Sequence, residues 1–166
     1  MRTLLIGAAL AVLVASLAAC GGSGASSASG QELQREADLY AIDQIEKTWH
    51  RATSSQDVDL MMSLWAPNAT FTAGPGQTLT GKKQIRTFWR GAPVFQSENH
   101  WVSETPAYKI RITVDGDRGT LYFECHYVDP KTGKVTAIAG ADERVARIDG
   151  RWLVTDHVGA TPTLTP

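Results

Sequence analysis

Seven polar side chains toward the C-terminal end of this chain have the types and spacing for proton transfer. Asp149-Gly150 separates two alternating segments, Lys134 to Ile148 and Arg151 to Val158. Asp-Gly favours a two-residue hairpin turn, because both central residues must take positive φ. Such a turn pairs Ile148 with Arg151. Counting outward, Arg144 faces Thr155 and Asp142 faces His157. Directly opposed residues share a face and lie within contact, so a carboxylate should meet an imidazole. That is the minimum for a general base held in one tautomer. A longer turn, Asp129-Pro130-Lys131-Thr132-Gly133, precedes this hairpin. If it pairs Val128 with Lys134, Tyr122, Glu124 and His126 join the same face. His157 then reads as the base, Asp142 as its orienter, and Glu124 or Tyr122 as the acid. A buried Glu124 would have a raised pKa. Arg144 would bind a carboxylate or an enolate-like oxygen, with His126 and Thr155 as further ligand contacts. The competing reading is a structural Asp–His pair without turnover, since ion-pair networks also serve packing.

The elements that must position these groups follow from periodicity. Gln31 to Ser54 carries Leu33, Ala37, Ala41, Ile45, Trp49 and Ala52 at helical spacing. Ser54-Ser55-Gln56-Asp57 breaks it and offers caps for a second helix, Val58 to Trp65. Ala66-Pro67-Asn68 stops that helix, and Ala69 to Thr72 reads as a short strand. A third helix follows Gly81, with Ile85, Phe88 and Trp89 on its buried side. Trp101 to Thr113 is extended with a bend at Pro106, Asp115-Gly116 is a hairpin turn, and Thr120 to Val128 alternates. Helices first and an antiparallel meander last predict an α+β fold. Along the strands, Leu121, Phe123, Cys125, Val145, Trp152 and Val154 make the second face. Periodicity alone makes that apolar face the core and gives the polar face to water. His50 and His100, near element edges, read as solvated. Trp49 reads as a core or pocket-wall aromatic, and so as a ligand contact.

The two ends and the composition bound the class. Arg2, the apolar run Leu4 to Leu17 and Leu17-Ala18-Ala19-Cys20 have the order of a secretion signal. The run is shorter than the roughly 20 residues of a membrane span. The last four residues resemble the lipobox of bacterial lipoproteins, which implies cleavage before Cys20 and its acylation. Residues 1–19 are then a signal peptide, and residues 20–30, rich in Gly, Ser and Ala, a flexible tether. Residues 31–166 make one domain. The expected location is the cell envelope, lipid-anchored at the outer face of the cytoplasmic membrane or at the outer membrane. The chain has 16 Lys and Arg against 17 Asp and Glu, without a basic cluster, so nucleic acid is not an expected partner. Cys20 and Cys125 are the only cysteines. With Cys20 acylated no disulfide forms, no zinc spacing exists, and Cys125 reads as packing. No metal or cofactor is expected.

Leu64-Trp65-Ala66-Pro67-Asn68-Ala69-Thr70-Phe71 resembles a segment common in SnoaL-like proteins, and Gly81-Lys82-Lys83-Gln84-Ile85 resembles the helix start that follows it there. Arg144 to Trp152 resembles a string in the kinase association domains of the same superfamily. The order and spacing of the three strings resemble the cone-shaped nuclear transport factor 2-like fold, with N-terminal helices packed on a curved antiparallel sheet. The resemblance implies that Asp142, at the place of the oxyanion-hole aspartate of ketosteroid isomerases, and Arg144 point into the cone. The polar face would then line a pocket, and the apolar face would dock a partner, such as a second copy through the sheet. It also implies that ketosteroid isomerase activity is absent. That family's base falls near Ala73 or Gly74, and its tyrosine falls at Trp49. Three functions remain open: a module binding a small, partly apolar ligand, an acid–base dehydratase or isomerase, and an accessory protein docking a partner.

Overall fold

The computed structural model of the chain describes residues 23–74, 76–160 and 162; Cys20 and the signal segment lie outside them. Helix α1 spans Ser23–Ser54 and α2 Val58–Ser63. Strands β1 (Trp65–Gly74) and β2 (Gln77–Thr80) follow, then α3 (Gly81–Gly91). The remainder is β3 (Val102–Glu104), β4 (Arg111–Asp115), β5 (Arg118–Asp129), β6 (Lys134–Ile148) and β7 (Arg151–Ala160). The sheet runs β2-β1-β7-β6-β5-β3, with β4 also pairing β5. All pairs are antiparallel except β1 with β7. This is the expected α+β arrangement, with one parallel pair in an otherwise antiparallel sheet. Among the described residues no helix is long and apolar enough to cross a membrane.

Three boundaries differ from those read in the sequence. Residues 23–30, expected as tether, continue α1 toward the N-terminus, and its early apolar residues Leu33 and Ala37 remain exposed. Strand β1 already begins at Trp65, because the Val154 amide bonds the Leu64 carbonyl and draws that backbone onto β7. The stretch from Trp101 to Thr113 breaks at Pro106 into β3, a 3-10 turn over Ala107–Lys109, and β4. The α2 cap is as expected: Asp57 accepts from the Leu60 amide at 2.8 Å. So is the Asp149-Gly150 turn, with φ of 50° and 74° and Ile148 opposite Arg151.

The core lies between one sheet face and the helices. Ile42, Ile45, Trp49 and Ala52 of α1 and Ile85 and Trp89 of α3 meet Leu121, Phe123, Cys125, Val145 and Val154 of the sheet. Each large side chain buried this way contributes about 1.5–3 kcal/mol. Gly119 is required beneath α1: a Cβ there would stand 2.5 Å from the Thr113 carbonyl oxygen and 3.2 Å from Ile42. Asp38 closes the base of α1 against β6 and β7. It accepts from Arg147 at 2.6 Å and from Trp152 Nε1 at 3.1 Å. Burial opposes its charge, but the bonds from Arg147, Trp152 and Gln34 outweigh burial and hold its carboxyl below the usual range.

Candidate functional site

The β6–β7 ladder follows the expected register only part of the way. Ile148 faces Arg151 and Val145 faces Val154, but Arg144 then faces Asp156. Thr155 is the extra residue of a β-bulge, its hydroxyl donating to the Arg144 carbonyl at 3.1 Å. A bulge shifts the pairing by one residue, and one residue turns every later side chain to the other face. His157 therefore leaves the polar face and faces Glu143, while Asp142 faces Val158. A carboxylate does meet the imidazole, but it is Glu143: its Oε1 lies 3.2 Å from His157 Nδ1.

The expected site splits across the two faces of the sheet. Periodicity has the faces right: the apolar face is the core. The orientation implied by the resemblance is corrected, because Asp142 and Arg144 point outward and are exposed. The apolar face expected to dock a partner is covered by the chain's own helices. Tyr122, Glu124 and His126 also lie on the outer side of β5, opposite Ala141, Phe123 and the rest of the core set, and so away from His157. They are buried all the same, with the segment between β3 and β4 reaching Glu124 and Arg111 of β4 lying over the Tyr122 ring. Lys109 Nζ sits 2.8 Å from Glu124 Oε2, the Tyr122 hydroxyl donates to Glu124 Oε1 at 2.8 Å, and Thr105 donates to the Glu124 carbonyl.

Inside the cone, His157 is clamped. Its ring stacks on Phe71 at 4.6 Å and 14° and on Trp49 at 5.4 Å and 13°. Trp49 is the hub of the interior, touching Trp65, Trp89 and Phe123 as well. Glu143 is fully buried, and burial pushes its carboxyl up, with His157 pulling the other way and Asp142 adding to the rise. The indole N–H groups of Trp49, Trp65 and Trp89 and the Glu143 Oε2 are buried without a hydrogen-bond partner among the described residues. An unmade buried bond costs about 1–3 kcal/mol, and these four gather around one aromatic cluster.

Sequence reasoning missed Glu143 and a further buried pair. His50, expected in solvent, is buried in contact with Glu46 at 2.9 Å and Ser103 at 2.6 Å. The four-residue spacing of Glu46 and His50 on a helix was the available signal. His100 is exposed as expected. Cys125 is packed inside, its thiol raised by burial, as a packing role requires.

The SnoaL-like domain family matches residues 47–154, and the chain belongs to that family. Solved structures agree on the fold. A nuclear transport factor 2-like protein of unknown function from Pseudomonas putida KT2440 aligns with a TM-score of 0.66 at 16% identity, over 79% of this chain and 98% of that one. A nuclear transport factor 2-like protein with a cystatin-like fold from Novosphingobium aromaticivorans gives 0.67 at 14% identity, over 84% and 90%. A protein of unknown function with a cystatin-like fold from Nostoc punctiforme gives 0.63 at 16%, over 75% and 92%. At such identities the likeness is one of fold. No curated protein matches the chain by sequence.

Proposed function

We propose that this protein is an envelope-held binding module that takes a small, partly apolar ligand into the aromatic interior of its cone. The observation that carries the reading is the set of unpartnered indole N–H groups of Trp49, Trp65 and Trp89 beside Glu143 Oε2. Apolar walls with a few placed polar groups are what small-molecule sites offer. The three indoles suit acceptor oxygens of a ligand, and Glu143 suits a hydroxyl or an N–H. The Glu143–His157 pair supports a second reading as an acid–base enzyme, now without Asp142, Glu124 or Tyr122 on its side of the sheet. The clamped ring of His157 favours binding over turnover.

The test is mass spectrometry of the gently purified full chain, followed by indole N–H spectra before and after small molecules are stripped. A retained compound and three shifted indole signals are the expected result. An empty protein whose indole signals do not respond to stripping would remove the reading. With the recovered compound in hand, Trp89→Phe, which keeps a ring but deletes one donor, should weaken binding about tenfold.

The anchor belongs to the same proposal. Cleavage before Cys20 and its acylation would hold the domain at a membrane, with two or more acyl chains making the attachment stable. Cys20→Ala should move the protein from the membrane fraction to the soluble envelope fraction. Unchanged membrane association would refute lipidation at this residue.

A further inference from the structure

The bulge that turns His157 inward also leaves an open cleft of about 620 Å³ on the outer face of the sheet. Arg118, Arg144, Thr70, Thr120, Thr155 and Asp156 line it. Thr120 stands directly opposite Arg144, and Arg118 is diagonal to Arg144 across the β5–β6 ladder. Diagonal neighbours are about 7–8 Å apart at the backbone, within joint reach of long side chains. Both arginines face an acid across the sheet: Asp115 lies opposite Arg118, and Asp156 opposite Arg144. Neither pair closes. Among the described residues the ion pairs include neither arginine. Asp156 instead accepts the Thr70 hydroxyl. Two guanidinium groups thus share one concavity without acid partners, and the cleft's own carboxylate is turned to a hydroxyl.

We propose that this cleft binds a small hydroxylated oxyanion, of the phosphate-ester or hydroxy-acid class. The guanidinium groups of Arg118 and Arg144 take the anionic end, and the Asp156 carboxylate accepts from a ligand hydroxyl. Paired N–H donors on a planar guanidinium match carboxylate and phosphate oxygens. Asp156 repels a bare anion and rewards one that carries a hydroxyl, so it sets the preference. The headgroup of phosphatidylglycerol and a free polyol phosphate share this chemistry.

The experiment uses the full chain in neutral detergent, titrated with glycerol 3-phosphate and with inorganic phosphate, reading the arginine Nε–H signals. Glycerol 3-phosphate should saturate at lower concentration than phosphate. Arg118→Gln and Arg144→Gln should each weaken it about tenfold or more. Asp156→Asn should narrow the difference between the probes. Arg35→Gln, on exposed α1, should change nothing. Unchanged near-ultraviolet dichroism of the tryptophans would show that each variant is folded. Repeating the titration in phosphatidylcholine and phosphatidylglycerol nanodiscs separates the sources. Loss of soluble binding only in phosphatidylglycerol assigns the headgroup, and equal binding in both assigns a free molecule. No saturation in detergent at millimolar probe, or binding that survives the double arginine variant, overturns the proposal.

Discussion

Glu143→Ala should cost the protein about 1–3 kcal/mol, the usual penalty for removing one partner of a buried hydrogen bond and leaving the other unsatisfied. Asp142→Ala, one residue away, should stay within about 0.5 kcal/mol, as exposed positions generally do. The contrast tests the bulge at Thr155 directly. A regular ladder would pair Asp142 with His157 and exchange the two outcomes, while the bulged ladder pairs Glu143 with His157. Chemical denaturation of the two variants side by side reads the difference. Acidity adds a second signature. Burial holds the Glu143 carboxyl above its ordinary range, although His157 opposes that. The folded state therefore binds this proton more tightly than the unfolded chain. Its stabilising contribution is full below the unfolded glutamate pKa of about 4.3 and is lost as pH rises through the folded value. Relative to Glu143→Gln, which has no proton to lose, the natural protein should lose stability as the pH is raised past the carboxylate range. A difference that is flat with pH would mean that Glu143 titrates as an exposed glutamate does.

The fold was legible because its signals are local. The Asp57 cap, the Asp149-Gly150 turn and the period-two alternation of Leu121, Phe123 and Cys125 each act over a few residues, and each survives in the structure. Alternation also assigned the core face correctly, where analogy with other cone folds turned Asp142 and Arg144 the wrong way. The reason is physical. Burying Leu121, Phe123, Val145 and Val154 under α1 is favourable whatever a relative does with the opposite face.

The site was less legible because it depends on one extra residue in one strand. Nothing in Thr155-Asp156-His157 distinguishes a bulged strand from a regular one, yet the bulge decides which carboxylate His157 meets and which face it joins. A carboxylate does lie beside the imidazole, but it is Glu143 and not Asp142. The burial of Tyr122, Glu124 and His126 was hidden for a similar reason. A strand read as outer and polar is covered by the non-local fold of residues after Pro106, and no pattern within β5 announces that cover.

That cover carries the second large effect. Lys109 and Glu124 are 1% and 0% exposed, and their charges meet at 2.8 Å on the outer side of the sheet. Lys109→Met keeps most of the apolar stem but removes the ammonium that meets the buried Glu124 carboxylate. The expected loss is about 1–3 kcal/mol, the cost of one broken bond to a buried charged group. The pair itself is worth much less than that loss suggests, because bringing both charges out of water offsets most of their attraction. Lys109→Met with Glu124→Gln removes both charges, and the new amide oxygen can still accept from the Tyr122 hydroxyl. The double variant should therefore recover most of the stability that the single variant loses. Urea midpoints of the two single variants and the double complete the cycle. Additive losses would mean that the two residues act separately. Recovery in the double variant, with the cone-interior tryptophan signals unchanged throughout, would make the pair a latch for the segment over β5, independent of Glu143 and His157 on the other side of the sheet.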